Sequence, residues 1–75
     1  MNKQRRNELN RIIDTLEKCS SDIESVLDDE DASRDNMPEN LQGSERYEES
    51  ESASDKMNDA ISSINDAVST LQELI

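Results

Sequence analysis

The chain has 75 residues, a net charge of −11 at pH 7, and a composition of 31% hydrophobic, 36% charged and 1% aromatic residues. So short a chain forms one domain at most and buries only about 60% of its unfolded surface, which excludes a large core. Its acidity works against phosphate backbones and anionic membranes, so we expect neither direct nucleic-acid binding nor membrane attachment.

The N-terminal residues MNKQRR are basic, as in the first part of a signal peptide. No apolar segment of about 7–15 residues follows them, and no run approaches the roughly 20 apolar residues of a membrane span. The single cysteine, Cys19, excludes an internal disulfide. These features predict a soluble protein of the cytoplasm.

The first predicted element is an amphipathic helix from about residue 3 to about residue 33. With Leu9 taken as position a of a seven-residue repeat, six of the eight a and d positions are apolar, and position e adds two more apolar residues. We expect this a/d/e face to mediate assembly. Its members are Leu9, Ile12, Ile13, Leu16, Ile23, Val26 and Leu27.

A turn over residues 34–44 follows and holds the only proline and the only glycine of the chain. Asn36 and Pro38 favour the start of a short helical turn, and Gly43 favours the left-handed backbone that ends it. Ser44 is then placed to cap the second helix, with acidic residues in the first turn that favour the helix dipole.

Three apolar side chains, Met37, Leu41 and Tyr47, lie in or beside this turn. We expect them to pack together and close the hairpin. The flanking residues 28–35 and 48–56 are nearly free of large apolar groups, so we expect frayed helix between this cluster and the main core.

The second predicted helix spans about residues 45–74 and repeats the apolar pattern of the first. Ala53, Ala60 and Ala67 recur at its d positions, where small side chains are expected to let a neighbouring helix approach closely. Its larger apolar residues complete the expected assembly face. They are Met57, Ile61, Ile64, Val68, Leu71 and Ile75.

The short turn predicts an all-α fold, with two long helices in an antiparallel coiled-coil hairpin. Three apolar positions per seven residues are more than one hairpin buries. We therefore expect a homo-oligomer in which two hairpins dimerise into a four-helix bundle, although a helix or groove of another protein would cover the same face.

The sequence offers little that could carry chemistry. It has no histidine, and Cys19 occupies a d position where we expect it to be buried as a small apolar side chain. The serines lack an activating base, and we interpret them as solvated helix surface. We expect no enzyme activity and no cofactor.

A calcium loop starting at Asp29 would need glycine and glutamate at its sixth and twelfth positions. Those positions hold Arg34 and Asn40. Both diagnostic residues are therefore missing, and we interpret this stretch as the solvated acidic end of a helix and expect no metal site.

The N-terminal stretch KQRR and Arg11 form a small basic patch. In an antiparallel hairpin this patch lies beside the end of the second helix, where we expect Glu73 and the negative pole of the helix dipole to balance it. Contact with an acidic partner or with nucleic acid is the alternative.

An acidic head is the most informative charged feature. Residues 28–55 contain eleven acidic residues and only two basic ones, Arg34 and Arg46. One interpretation is a solubilising surface, and the other is a surface shaped for a basic protein partner, in imitation of nucleic acid. The candidate partner-binding residues are Asp28, Asp29, Asp31, Asp35, Glu39, Glu45, Glu48, Glu49, Glu51 and Asp55.

The motif NMPENLQGSERYE lies between MNKQRRNELNRIIDTLE and DAISSINDAVSTLQELI. In these stretches the chain resembles short acidic helical-hairpin proteins of phages and mobile elements of Gram-positive bacteria. The resemblance covers nearly the whole chain, and the turn motif is its specific part. It implies a phage or mobile-element setting, the cytoplasm of an infected or lysogenic host, and no catalytic residues.

Two functions follow as expectations. The first is a non-enzymatic interaction module that inhibits a host protein by occupying its basic, nucleic-acid-binding surface. The second is a structural, homo-oligomeric helical bundle whose acidity only aids solubility. Partner binding that weakens with salt and requires the acidic head would favour the first function over the second.

Overall fold

The computed structural model describes all 75 residues and contains two long helices joined by a short turn. Helix α1 spans Lys3–Asp35 and helix α2 spans Glu45–Gln72, with one short 3₁₀ turn at Glu39–Leu41 between them. The two helices pack against each other, there is no strand, and the hairpin measures 60 × 15 × 12 Å. The expected all-α fold with two helices in contact is therefore confirmed, and its geometry fits an antiparallel hairpin.

Polar caps define where each helix begins. The Asn2 side chain accepts a hydrogen bond from the Arg5 amide at 2.8 Å, and the Ser44 hydroxyl accepts one from the Tyr47 amide at 3.3 Å. Each cap satisfies a backbone donor that has no partner within the helix. Gly43, directly before Ser44, has a φ of +96°, which glycine adopts without the steric cost that a side chain would impose.

The turn differs from the expectation at Asn36. This residue ends α1, with its amide donating to the Ala32 carbonyl at 3.1 Å, and it does not begin the next helical turn. Pro38 is the residue at which that turn starts, and its carbonyl accepts from the Leu41 amide at 2.9 Å. The reason is that proline disfavours helical backbone at the residue before it, so the new turn begins at Pro38 itself.

The helices meet along their a and e positions. Four apolar side chains, two from each helix, are buried at these positions, and half-buried a residues flank them. Such a stripe recurs every three and four residues and twists slowly around a straight helix, as in other packed helix pairs. The buried apolar residues are Ile13, Leu27, Ile61 and Val68.

The d positions lie outside this contact, contrary to the expectation that they form its centre. Ile12, Cys19 and Val26 are exposed on α1, Ala60 and Ala67 are exposed on α2, and Leu74, just past the end of α2, is exposed as well. A helix pair covers only one flank of the a row, because d and e lie on opposite sides of it. The e side carries the bulkier apolar residues, so its burial removes more apolar surface from water.

Serine, and not alanine, supplies the small side chains between the helices. Ser20, Ser50 and Ser54 are buried at a and e positions, which corrects the interpretation of the serines as solvated surface. The Ser20 hydroxyl donates to the Asn65 side-chain oxygen across the contact at 3.4 Å. Short side chains that also form hydrogen bonds allow a close approach without an unsatisfied polar group.

Two cross-helix pairs set the register of the hairpin. Ser20 lies beside Asn65 and Asp31 lies beside Ser54, so each step toward the start of α1 matches a step toward the end of α2. This register places the end of α2 level with Ile13. Residues 3–9 therefore extend beyond α2 and have no helix beside them.

Candidate functional site

The hairpin brings both acidic flanks of the turn to one end of the molecule. Of the eleven acidic side chains in residues 28–55, only Glu30 and Asp31 are half-buried, and the others are exposed. We call this end the acidic head. Its exposed carboxylates are Asp28, Asp29, Asp35, Glu39, Glu45, Glu48, Glu49, Glu51 and Asp55.

Arg34 joins the two helices within the head. Its Nη1 donates to the Ser54 hydroxyl at 2.8 Å and to the hydroxyl and carbonyl oxygens of Ser50, each at 3.2 Å. Only 15% of the Arg34 side chain is exposed, so the guanidinium fills the space between the helices where no large apolar side chain is present. A planar guanidinium with several fixed donors suits this bridging role.

Asp31 completes the network from the α1 side. One of its oxygens, Oδ1, accepts from the Ser54 hydroxyl and from the Arg34 Nη2, both at 2.7 Å. These two hydrogen bonds, that of Ser54 first, hold the pKa of Asp31 below its ordinary value of 3.8. The same contact with Asp31 raises the pKa of Arg34, so the pair stays charged throughout the neutral range.

This polar network replaces the frayed segment that the sequence led us to expect. Helix α1 continues to Asp35 and α2 begins at Glu45, so both acidic flanks are helical. Sequence reasoning missed the roles of Arg34, Ser50 and Ser54. The seven-residue repeat could have indicated these roles, because all three residues continue the row of a and e positions that contains Leu27 and Ile61 into the head.

The lowered pKa of Asp31 predicts a stability change with pH. Because the folded pKa lies below 3.8, the Asp31 carboxylate stabilises the fold at pH 7, and this contribution is lost as pH falls below 3.8 through the folded value. We expect Asp31→Asn to lower the melting temperature at pH 7. The difference from the unsubstituted chain should narrow below pH 3.8, as measured by circular dichroism melts from pH 7 to pH 2.

Asp28→Asn is the matched control, because the substitution removes the same charge at an exposed residue. Asp28→Asn should not show the loss of melting temperature at pH 7, narrowing below pH 3.8, that we expect for Asp31→Asn. A gap for Asp31→Asn that stays constant down to pH 2 would contradict the assigned network.

The head has little internal compensation for its negative charge. Arg34 is already paired with Asp31, which leaves Arg46 as its other cation. The second ion pair of the protein, Lys18 with Asp22 at 2.9 Å, is exposed and lies outside the head. The exposed carboxylates of the head therefore face solvent without ion-pair partners.

The closing cluster expected at the turn is only partly formed. Met37 and Tyr47 are half-buried, whereas Leu41 is 48% exposed. The 3₁₀ turn carries Leu41 on its outer side, and the hydrogen bonds of the Arg34 network hold the helices together below it.

The basic N-terminal patch forms no ion pair with the end of α2, contrary to our interpretation. Lys3, Arg5 and Arg6 lie on the part of α1 that extends beyond α2, and Arg11, which the register places level with Leu74, forms no ion pair either. Their side chains are exposed. This patch is therefore a second charged surface, about a full helix length away from the acidic head.

Other chemistry-bearing groups are dispersed. Cys19 is exposed, and the expectation of a buried thiol is wrong because its d position lies outside the helix contact. No group of three or more cysteine, aspartate or glutamate side chains is arranged to hold a metal ion. Neither helix has a stretch that is both long and apolar enough to cross a membrane.

No protein-family model, no curated protein and no solved structure matches the chain. Its function is therefore inferred from the two surfaces that the hairpin creates, the acidic head and the exposed d positions.

Proposed function

We propose that the protein is a non-enzymatic interaction module whose acidic head binds a basic surface of another protein. The observation that carries this proposal is the set of nine exposed carboxylates, without ion-pair partners, on a helical end that Arg34 pins together. Repulsion among like charges works against folding of the head. A surface that compensates these carboxylates would relieve that repulsion on binding.

The spacing of the carboxylates supports imitation of nucleic acid. At a helical rise of 1.5 Å per residue, the acidic flanks occupy about 20 Å of hairpin length, or about 2 Å per exposed carboxylate. Double-stranded DNA carries one charge per about 1.7 Å of its axis. A basic groove that binds a phosphate backbone would thus meet a similar charge density on the head.

The resemblance to short phage proteins gives this proposal a setting. The proposed role of the chain is to inhibit a host nucleic-acid-binding protein by occupying its basic groove, in the cytoplasm of an infected or lysogenic bacterium. Electrostatic complementarity of this kind mainly accelerates association and makes binding sensitive to salt.

The test is affinity capture from a Gram-positive lysate at low and high salt, with double-stranded DNA as a competitor. We expect the captured protein to be released by DNA and by salt. A variant that neutralises four head residues, Asp28→Asn, Asp35→Asn, Glu51→Gln and Asp55→Asn, should capture at least tenfold less.

A control variant removes the same number of charges outside the head: Asp14→Asn, Glu17→Gln, Asp59→Asn and Asp66→Asn, all exposed. It should capture the partner like the unsubstituted chain. Equal loss in both variants, or capture that neither salt nor DNA reduces, would count against imitation of nucleic acid.

We also propose that two hairpins pair into a four-helix bundle. The supporting observation is that apolar d side chains remain exposed, with Val26 at 58%, Leu74 at 48% and Ile12 at 37%. A single hairpin of this size has a thin core, and self-association is one way in which small chains gain stability. Sedimentation equilibrium tests the pairing, and a monomer at 100 μM would refute it.

A further inference from the structure

The two broad faces of the hairpin differ in polarity. The d residues of both helices lie on one face, where Ile23, Val26, Met57 and Ala60 line a shallow groove. The opposite face carries the b positions, which are polar or charged throughout both helices: Asn10, Glu17, Glu24, Asp31, Glu51, Asn58, Asn65 and Gln72. Only the d face is therefore suited to an apolar contact, and we call it the apolar strip.

Three levels divide the apolar strip at intervals of one heptad. By the register of the hairpin, Ile12 lies level with Leu74, Cys19 with Ala67, and Val26 with Ala60. The first level presents two large exposed side chains, and the second presents two small ones. The third level is the shallow groove, which is open because Ala60 is small.

Beyond the apolar groove, a polar groove continues on the same face in the acidic head. Glu30, Ser33, Glu49 and one cation, Arg46, are among the residues that line it. At the other end of the strip, Arg5 occupies the same heptad position as Ile12, two turns earlier, and is exposed. The strip thus has the cation Arg5 at one end and, at the other, two carboxylates and one cation.

We propose that the apolar strip binds a second copy of this chain in antiparallel orientation, with the twofold axis at the level of Cys19 and Ala67. This inference rests on the proposed pairing into a four-helix bundle and adds its orientation and register. About this axis α1 lies along α1 of the second copy. Ile12 then faces Val26 of the second copy, and each contact occurs twice, as twofold symmetry requires.

Shape complementarity supports this register. The large side chains at the level of Ile12 and Leu74 meet the groove beside Val26 and Ala60 of the second copy. Small residues face each other at the axis, where the helix backbones come closest. Large side chains packed into holes lined by small ones are the usual geometry of helix bundles.

Charge complementarity selects the antiparallel orientation. It places Arg5 level with Ser33 of the second copy, in a polar groove where the carboxylates Glu30 and Glu49 outnumber the one cation, Arg46. It also brings the unpaired residues 3–9 of α1 alongside an acidic head. A parallel pair would instead set two heads side by side, each with eleven acidic and two basic residues, and their repulsion would oppose association.

The pairing leaves much of the acidic head free. Asp28, Asp35, Glu51 and Asp55 are at b and f positions, on the side of the hairpin away from the apolar strip. The dimer therefore presents one outward acidic surface at each end, and binding of a basic partner does not compete with dimer formation.

Cysteine cross-linking tests the orientation. In the antiparallel dimer the two Cys19 side chains lie within disulfide reach at the axis, and so do two cysteines at position 67 in the variant Cys19→Ala/Ala67→Cys. Both proteins should form disulfide-linked dimers under mild oxidation. The control Cys19→Ala/Ala60→Cys instead places a cysteine about 21 Å from its symmetry mate along the helix, and it should link on the order of tenfold more slowly or less.

A charge swap tests the polar contact by sedimentation equilibrium. Arg5→Glu should weaken dimerisation about tenfold, and adding Glu49→Arg should restore it. A monomer in the unsubstituted chain would overturn the pairing altogether. The single variant Ala67→Cys keeps Cys19, and a stable dimer in which it links only Cys19 to position 67 of the other copy would overturn the antiparallel orientation alone. Equal linking rates at positions 60 and 67 would do the same.

Discussion

Replacing Ile13 with alanine should lower the free energy of unfolding by about 2–5 kcal/mol, as expected for a large apolar side chain removed from a buried site. Ile13 is 5% exposed and is one of only four buried apolar residues. At roughly 0.05–0.15 kcal/mol per residue, a chain of this length has a total stability of about 4–11 kcal/mol, so this loss removes a large fraction of it. Urea unfolding followed by circular dichroism measures it.

Ile12→Ala is the matched control, since it is the same substitution at the neighbouring residue, which is 37% exposed. In solution dilute enough to dissociate the proposed dimer, its effect should be under half that of Ile13→Ala. At high concentration Ile12→Ala should weaken self-association, which Ile13→Ala affects only through folding. Equal losses in dilute solution would contradict a helix contact that buries e and leaves d exposed.

Replacing Arg34 with methionine should disorder the acidic head while the apolar part of the hairpin persists. The substitution keeps the aliphatic stem but removes the donors that reach Ser50 and Ser54. Leaving a buried hydroxyl without its partner costs about 1–3 kcal/mol. We expect amide hydrogen exchange in residues 28–35 and 45–55 to accelerate on the order of tenfold, with a smaller change around Val68.

Arg46→Met removes the same charge from the same end of the molecule and serves as the control. Arg46 is exposed, whereas Arg34 is largely enclosed between the helices. Exchange in the head should therefore change little in this variant. Similar acceleration in both variants would mean that overall charge, and not the Arg34 network, orders the head.

Apolar periodicity was enough to predict two helices and the turn between them. The repeat is strong in both halves, and Pro38 and Gly43 interrupt it only once. The same periodicity was ambiguous about which flank of the a row is buried, because both d and e are largely apolar. A comparison of side-chain size would have favoured e, because its residues Ile13, Leu27 and Ile61 are larger than Cys19, Ala60 and Ala67 at the d positions.

The acidic head could be located from sequence, but its internal order could not. Counting charges treats Arg34 and Arg46 alike, although one bridges the helices and the other faces solvent. That difference depends on the hairpin register, which brings Ser54 within reach of Arg34. Register is a tertiary property, set by packing along the whole helix pair, and a local pattern does not specify it.

The Arg34 network also has a consequence for the order of folding. It joins residues 20 apart in the chain, whereas the Ser20 contact with Asn65 joins residues 45 apart. Closing the shorter loop costs less conformational entropy. We therefore expect the helices to make contact first near the turn, and the contacts then to extend toward the apolar end of the hairpin. Accordingly, we expect the charged tip to form before the apolar stripe. We expect like-charge repulsion to act mainly as a kinetic barrier there, one that counterions lower.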